Sequence, residues 1–219
     1  RITDVDEYGF LIRVQEWEDL EQSRTTETVG YLVMERGQHQ LPDGTWVETG
    51  YLETDTTHAF DDVQFDAPFA QPPVVLTAVT SDMDGVAVTT RMRNVDVGGF
   101  QVGLQEQEAS DQVHGTERID YIAWEVSSGE LDSGIRYVVD RTPDEVTHSW
   151  HTISTSAFAT EPVFLAAMQT RDGPDTAALR WRNKDEWGVD VRVEEEQSRD
   201  SETNHTTEVV GYVMIEPAQ

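Results

Sequence analysis

The sequence contains no cysteine, a single lysine and no long apolar run. Without cysteine the chain has no disulfide framework, no thiolate metal site and no thiol nucleophile. No apolar stretch approaches the roughly 20 residues that a membrane-spanning helix needs, so membrane insertion is not predicted. Apolar residues also nowhere recur at helical spacing over a long stretch, which favours an all-β fold.

Positive charge is scarce. The 219 residues include 43 Asp and Glu against 15 Lys and Arg, which gives a formal net charge of −28. Such a surface repels itself in dilute buffer, whereas in molar salt the Debye length shrinks to roughly 3 Å and the repulsion is screened. The composition therefore predicts a salt-adapted protein from a halophile. It also disfavours nucleic acids and anionic membranes as partners, while six Trp, six Tyr and seven Phe indicate a folded core.

One pattern occurs two and a half times along the chain. Its glycine marker moves from Gly9 to Gly99 to Gly188, a period of about 90 residues that is longer than solenoid repeats have. A second shared stretch follows each copy and ends at a tyrosine. The copies around the glycine lie at residues 4–16, 94–106 and 183–195, and the tyrosines are Tyr31, Tyr121 and Tyr212. A period of this length is a small domain, so function is expected to lie in repeated presentation of one surface.

Alternation inside each copy indicates β-strands. Phe100, Val102 and Leu104 alternate with Gln101, Gly103 and other small or polar residues, as expected of a strand with one face in a core. Short strands separated by turn residues are typical of an antiparallel β-sandwich or a small barrel.

The register of the repeat divides the chain into three parts. Residues 1–36 form the second half of a module, here called the amino-terminal unit. Residues 41–125 form the first module, and residues 128–216 form the second module. A half sandwich exposes strand edges and an apolar face, which folded proteins avoid. Either an upstream segment or another chain is therefore expected to supply the missing strands.

Several segments of the first module resemble an H-type lectin domain. The order runs from Phe-x-x-Pro-Phe at 65–69 to Pro-Pro-Val-Val-Leu at 72–76, then Arg91 and the Gly-Phe pair at 99–100. The resemblance covers nearly all of both modules and extends to the amino-terminal unit. It implies tandem six-stranded antiparallel β-sandwiches, a trimer or a trimer-like arrangement within one chain, and binding of N-acetylgalactosamine-type sugars.

The resemblance also implies a sugar site. In the family an arginine ahead of the Gly-Phe strand helps to hold the sugar, and this chain has an arginine there in every copy: Arg1, Arg91 and Arg180. The family's aromatic–histidine pair after that strand is missing here, so a stacking aromatic is expected only at Trp17. From the residues alone, the arginines could equally pair with acidic side chains at the edge of the core.

A loop shared by the copies is rich in carboxylates. Because Ca²⁺ takes six to eight oxygen ligands, the loop is a candidate calcium site; the alternative is that its Glu and Thr residues cap strand ends. The candidate ligands are Glu16, Glu18, Glu27, Glu106, Glu108, Glu117, Glu195 and Glu208. His114 and His205 recur where the first copy has Arg24. Since arginine stays protonated, this position is predicted to provide a positive partner for the glutamates.

These observations predict a binding protein and not an enzyme. A carboxylate pair such as Glu106 and Glu117 could serve a glycosidase, but its repetition in every copy favours structure or binding. The predicted function is carbohydrate binding and adhesion at a cell or virion surface, outside the cell. Surface glycans or glycoproteins and self-association are the expected partners. The alternative is a structural subunit of a virion spike, tail fibre or extracellular filament in which the sugar sites are degenerate.

Overall fold

The computed structural model of the protein describes residues 1–17, 26–131, 134–155 and 158–217. The regular elements in these ranges are sixteen β-strands, and every strand pair is antiparallel. The all-β prediction is confirmed. Within the same ranges no helix is long and apolar enough to cross a membrane.

The two modules have the same architecture. Each consists of a four-stranded and a three-stranded sheet, with orders β3-β4-β9-β6 and β5-β8-β7 in the first module and β10-β11-β16-β13 and β12-β15-β14 in the second. The first module contains β3 (Gly37–Gln40), β4 (Trp46–Thr54), β5 (Asp61–Gln64), β6 (Val74–Val79), β7 (Val88–Asp96), β8 (Gly99–Glu106) and β9 (Glu117–Trp124). The second contains β10 (Ser127–Glu130), β11 (Arg136–Arg141), β12 (His151–Ser154), β13 (Val163–Met168), β14 (Ala177–Asp185), β15 (Gly188–Glu195) and β16 (Val210–Ile215).

Each module thus has seven strands, where the resemblance implies six. Each four-stranded sheet ends in a short strand, β3 or β10, which a tight hairpin joins to its neighbour. The hairpins contain Gly44 at φ 92° and Gly134 at φ 77°, a left-handed conformation that glycine adopts without steric cost. Strand β3 begins at Gly37, ahead of the predicted module boundary at Leu41.

The turn before the glycine marker has the same backbone in all three copies. Asp4, Asn94 and Asn183 have φ angles of 52°, 52° and 51°. Asp and Asn tolerate this left-handed region better than other residues with a side chain. In both modules the turn coincides with a register shift between the paired strands. The repeated Asp or Asn therefore determines where the strand that carries the arginine turns toward the following strand.

Every module has a core between its two sheets. In the first module Phe65 packs edge to face on Phe69 at 5.0 Å between ring centroids, and Phe100 packs on Tyr121 at 5.3 Å. In the second module Phe164 and Tyr212 occupy the corresponding space, with ring centroids 6.4 Å apart. Both cores combine strands from the first and the second half of the module.

A third apolar cluster lies between the three repeat units. It contains the buried Trp124 and Tyr137, whose rings lie 5.2 Å apart. Each unit contributes to this cluster the residues at the same two positions of its last repeated segment. In chain order the pairs are Leu32 and Met34, Ile122 and Trp124, and Val213 and Ile215. The amino-terminal unit and both modules therefore share one core.

The amino-terminal unit is less complete than the modules. Its strands are β1 (Ile2–Thr3) and β2 (Leu11–Ile12), which among the described residues pair only with each other. Residues 26–35, which correspond to β9 and β16, form no strand. Val5, Tyr31 and Val33 of this unit are exposed, as the sequence predicts for a half sandwich.

Candidate functional site

The contact between the first and second modules contains a buried ion pair. Arg91 on β7 donates from Nη2 to Oε1 of Glu208 over 2.8 Å, and from Nη1 to Sδ of Met168. The side chains of Arg91 and Glu208 are 1% and 0% exposed. Because Glu208 precedes β16, this pair joins a strand of one module to a loop of the next.

A histidine holds Glu208 from within the second module. His205 Nδ1 lies 2.8 Å from Oε1 of Glu195, and its Nε2 lies 2.9 Å from Oε1 of Glu208. Thr170 donates its hydroxyl to the other oxygen of Glu208. The predicted pairing of this histidine with neighbouring glutamates is confirmed.

The same cluster occurs one repeat earlier. Arg1 of the amino-terminal unit donates from Nη1 to Oε1 of Glu117 over 2.8 Å. His114 Nδ1 lies 2.8 Å from Glu106, and its Nε2 lies 3.4 Å from Glu117. The backbone N–H of Asp84 also donates to Glu117. Each junction is therefore an arginine from one unit inserted into a Glu–His–Glu group of the next; we call this group of four the junction cluster.

A repeated glutamine confirms that the two junctions are equivalent. Gln15 donates to the carbonyl of Gly85 over 3.1 Å, and Gln105 donates to the carbonyl of Pro174 over 3.4 Å. These glutamines and acceptors occupy equal positions of the repeat. The first module thus contributes its arginine and glutamine to one junction and its Glu–His–Glu group to the other. Such a head-to-tail contact, in which two different surfaces meet, is heterologous.

Opposing effects set the pKa of the groups in the second cluster. Burial alone would lower the pKa of His205, but hydrogen bonds to Glu208 and Glu195 outweigh it and hold the pKa above its usual 6.5. Burial alone would raise the pKa of Glu208, but His205, the charge of Arg91 and Thr170 hold it below 4.5. Both groups are therefore charged in mildly acidic solution.

This charge state predicts a pH dependence of stability. Because the pKa of His205 is higher in the folded than in the unfolded protein, protonation of His205 stabilises the fold. This contribution is complete below pH 6.5, and it is lost as the pH rises through the folded-state pKa. Because the pKa of Glu208 is lower in the folded protein, its ionised form stabilises the fold. This contribution is complete above pH 4.5, and it is lost as the pH falls through the folded-state pKa. We expect the free energy of unfolding to peak between these values.

Denaturant unfolding in molar KCl across this pH range tests the expectation. The variant His205→Gln is the control, because it keeps a hydrogen-bonding side chain that does not titrate. It should lose the fall in stability above pH 6.5 and keep the fall on acidification. An unchanged alkaline limb in this variant would contradict the assignment to His205.

The structure separates the arginines that the resemblance treats as one sugar site. Arg1 and Arg91 are buried in junction clusters, so neither side chain is available to a ligand in solvent. Arg180 is different: its side chain is 46% exposed, and it pairs with Glu194 on the neighbouring strand. Trp17 is half-buried and is the last residue described before the gap at 18–25. The burial of Arg1 and Arg91 favours the alternative that these arginines pair with acidic side chains, and the sugar site stays a prediction.

The candidate calcium ligands also have other roles. The two glutamate pairs of the junction clusters are brought together, but around histidine and arginine of the protein itself. Within the described ranges, no three or more Asp, Glu or His side chains are arranged to hold a metal ion. The predicted calcium ligands in the clusters, Glu106, Glu117, Glu195 and Glu208, contact histidine or arginine side chains of the protein, and the calcium site stays a prediction.

Of the remaining candidates, Glu16, Glu27 and Glu108 lie within the described residues. Glu16 is half-buried, Glu27 is exposed, and Glu18 lies outside the described residues, as does Arg24. Glu108 is half-buried, and its pKa is raised by burial and by the charges of Asp175, Asp200 and Glu196. Crowding of like charges at this point fits a protein that works where salt screens them.

Comparison with known proteins found one informative similarity. The chain is 31% identical over 220 residues to Halomucin of Haloquadratum walsbyi. The alignment covers 97% of this chain but 2% of the relative, so the chain spans a small part of that protein's length. No protein-family model matches the chain, and no solved structure matches it.

Proposed function

We propose that the chain is a modular structural protein of the surface or extracellular space of a halophile, in which junction clusters lock successive β-sandwich modules in register. The observation that carries this proposal is the recurrence of the cluster. Both junctions bury the arginine of one unit against the glutamate of the next, at 2.8 Å in each case. Two of the three arginines that the resemblance assigns to a sugar, Arg1 and Arg91, lie in these junctions.

Burial of the junction charges suits assembly in concentrated salt. At 1 M salt the Debye length is roughly 3 Å, so ion pairs in solvent contribute little, whereas buried pairs are screened much less. A buried pair also penalises wrong docking, because a glutamate left buried without its cation is costly. In concentrated salt the buried clusters therefore favour one arrangement of the modules, whereas screened ion pairs at the surface contribute little to that choice.

The comparison supports the location. Similarity to a segment of Halomucin, from a salt-loving organism, fits the acidic composition and supports a place outside the cell. The direct test of the proposed role is the stability lost when Arg91 is removed, compared with its exposed counterpart Arg180. Equal losses at the two positions would count against a junction role.

Carbohydrate binding at the second module is a second candidate, supported by the exposure of Arg180. A cavity of about 250 Å³ is lined by Leu179, Arg180 and Trp181 together with residues 28–30 of the amino-terminal unit. Trp181 is 50% exposed. An arginine beside an exposed indole offers hydrogen-bond donors and an apolar face, which a sugar ring can use.

Glycan-array binding in molar KCl tests this candidate. If the cavity binds sugar, Arg180→Ala should weaken binding by at least about tenfold, or about 1.4 kcal/mol. Trp181→Ala should have a similar effect. Trp187→Ala is the matched control, because this indole is also exposed but is not among the residues that line the cavity. Absence of binding by the folded wild-type protein would exclude the candidate.

A further inference from the structure

The amino-terminal unit exposes apolar side chains that both modules bury. Tyr31 is 62% exposed, whereas its counterparts Tyr121 and Tyr212 are 7% and 8% exposed. Four further positions show the same contrast. The exposed residues are Ile12, Val14, Val29 and Val33; their buried counterparts are Val102, Leu104, Ile119 and Ala123 in the first module and Val191, Val193, Val210 and Met214 in the second.

The modules show what covers these positions. In the first module the covering side chains include Phe65, Phe69, Val75 and Val79, and all of them lie in the first half of the module. In the second module the corresponding cover includes Ile153, Phe158, Phe164 and Met168. The amino-terminal unit has the repeat's second half alone, so its face corresponds to a module core with one layer removed.

The backbone of the unit lacks the same partners. Strand β8 lies between β5 and β7, but within the described part of the chain β2 pairs with β1 alone. Strand β9 lies between β4 and β6, but the corresponding residues 26–35 form no strand. Unpaired backbone at an apolar face is a template for strand addition. In the two modules these partner strands come from the first half of the repeat.

A groove lies along this face. Its volume is about 390 Å³, and its lining includes Ile2, Phe10, Ile12 and Tyr31 from the amino-terminal unit. The first module contributes to its lining as well, for example with Ile122, as does Leu165 of the second module. The groove therefore opens beside the core that the three units share.

We infer that this face binds the first half of a further repeat module, that is, a segment with the strand order and apolar pattern of residues 37–87. Main-chain pairing with β2 and with residues 26–35 supplies the register, and the counterparts of Phe65 and Phe69 fill the groove. A second copy of this chain does not offer such a segment, because both of its first halves are already packed in its own modules. This inference rests on the proposed modular role of the chain.

An in-register graft tests the inference. Residues 37–90 of this chain are joined directly to Arg1 of the full chain, because Arg1 occupies the position of Arg91. The graft should slow amide exchange in residues 26–35 by at least roughly tenfold. It should also lower the fluorescence of an apolar-surface dye by at least about threefold, since the exposed face becomes a core. Both measurements are made in molar KCl.

The matched control carries Phe65→Asp and Phe69→Asp in the grafted copy only. It has the same length and topology but cannot fill the groove, so exchange and dye binding should stay at the level of the parent chain. Equal protection by the graft and the control would overturn the inference. So would an unchanged exchange rate with the graft, or a parent chain that is already a dimer by light scattering with residues 26–35 protected.

The docking inference and the proposed junction role fail separately. Loss of stability in Arg91→Ala depends on the contact between the first and second modules, which the graft does not touch. Protection by the graft with no effect of Arg91→Ala would leave the docking inference standing and overturn the junction role. The reverse pair of results would overturn docking alone.

Discussion

Replacing Arg91 with alanine is expected to lower the free energy of unfolding by about 3–5 kcal/mol in molar KCl. The change removes one partner of a buried ion pair and leaves Glu208, which is 0% exposed, without its cation from the first module. His205 remains beside Glu208, so the loss should grow above pH 6.5 as that imidazole deprotonates. Chemical denaturation followed by tryptophan fluorescence measures the difference.

Arg180→Ala is the matched control, because Arg180 occupies the same position of the repeat. Its ion pair with Glu194 is exposed, and such pairs contribute about 0–1 kcal/mol. A loss at Arg180 as large as that at Arg91 would show that repeat position, and not burial in a junction cluster, determines the effect. A second variant, Arg91→Met with Glu208→Gln, removes both charges and should recover part of the stability lost in Arg91→Ala.

Trp124→Ala is expected to destabilise the protein by about 3–5 kcal/mol. Trp124 is 1% exposed in the cluster that the three units share, so its removal leaves a cavity among all of them. Its indole N–H has no hydrogen-bond partner among the described residues, so the loss should reflect packing. Trp124→Phe retains a ring and should cost less than the alanine variant.

Trp187→Ala is the control for this prediction, since the side chain is 62% exposed in a turn. It should change the free energy of unfolding by no more than about 0.5 kcal/mol. Denaturant titrations of the three variants in the same salt make the comparison. A small effect of Trp124→Ala would contradict a core held in common by the units.

Local pattern was sufficient to predict the strands and part of the cluster. Alternation at Phe100, Val102 and Leu104 predicts a strand with one buried face, and β8 contains all three residues. The exchange of histidine for arginine between copies predicts a partner for the glutamates at this position, and His114 and His205 each contact two glutamates. Both conclusions depend on residues close together in sequence or at equal places in the repeat.

Which of the arginines is buried could not be predicted in this way, because burial depends on how neighbouring units pack. Arg91 and Arg180 occupy equal positions on equal strands, yet one is buried and the other is exposed. The difference arises because Arg91 meets a loop of the next module. In each copy of the repeat a glutamate follows the arginine by about 26–28 residues, as Glu117 follows Arg91. This repeated pair is the signal in the sequence for an ion pair between units, whereas the resemblance to a lectin points to a sugar as the partner of the arginine.

The edge strands show a similar limit. Residues 37–40 and 127–130 alternate weakly and contain few apolar side chains, so the sequence predicts no strand there. They become strands because the hairpins at Gly44 and Gly134 return the chain alongside β4 and β11. Here the turn, and not the strand's own composition, determines the structure.

The shared core contains Met34, Trp124 and Ile215 at one position of the repeat. Three identical copies would have to bring three equal side chains to this point, and three tryptophans need far more volume than one large and two medium side chains. The copies are therefore not interchangeable, because a different order along the chain would place these side chains of unequal size beside different neighbours. The repeat places one side chain of each copy at this point, and the unequal sizes of these side chains distinguish the copies.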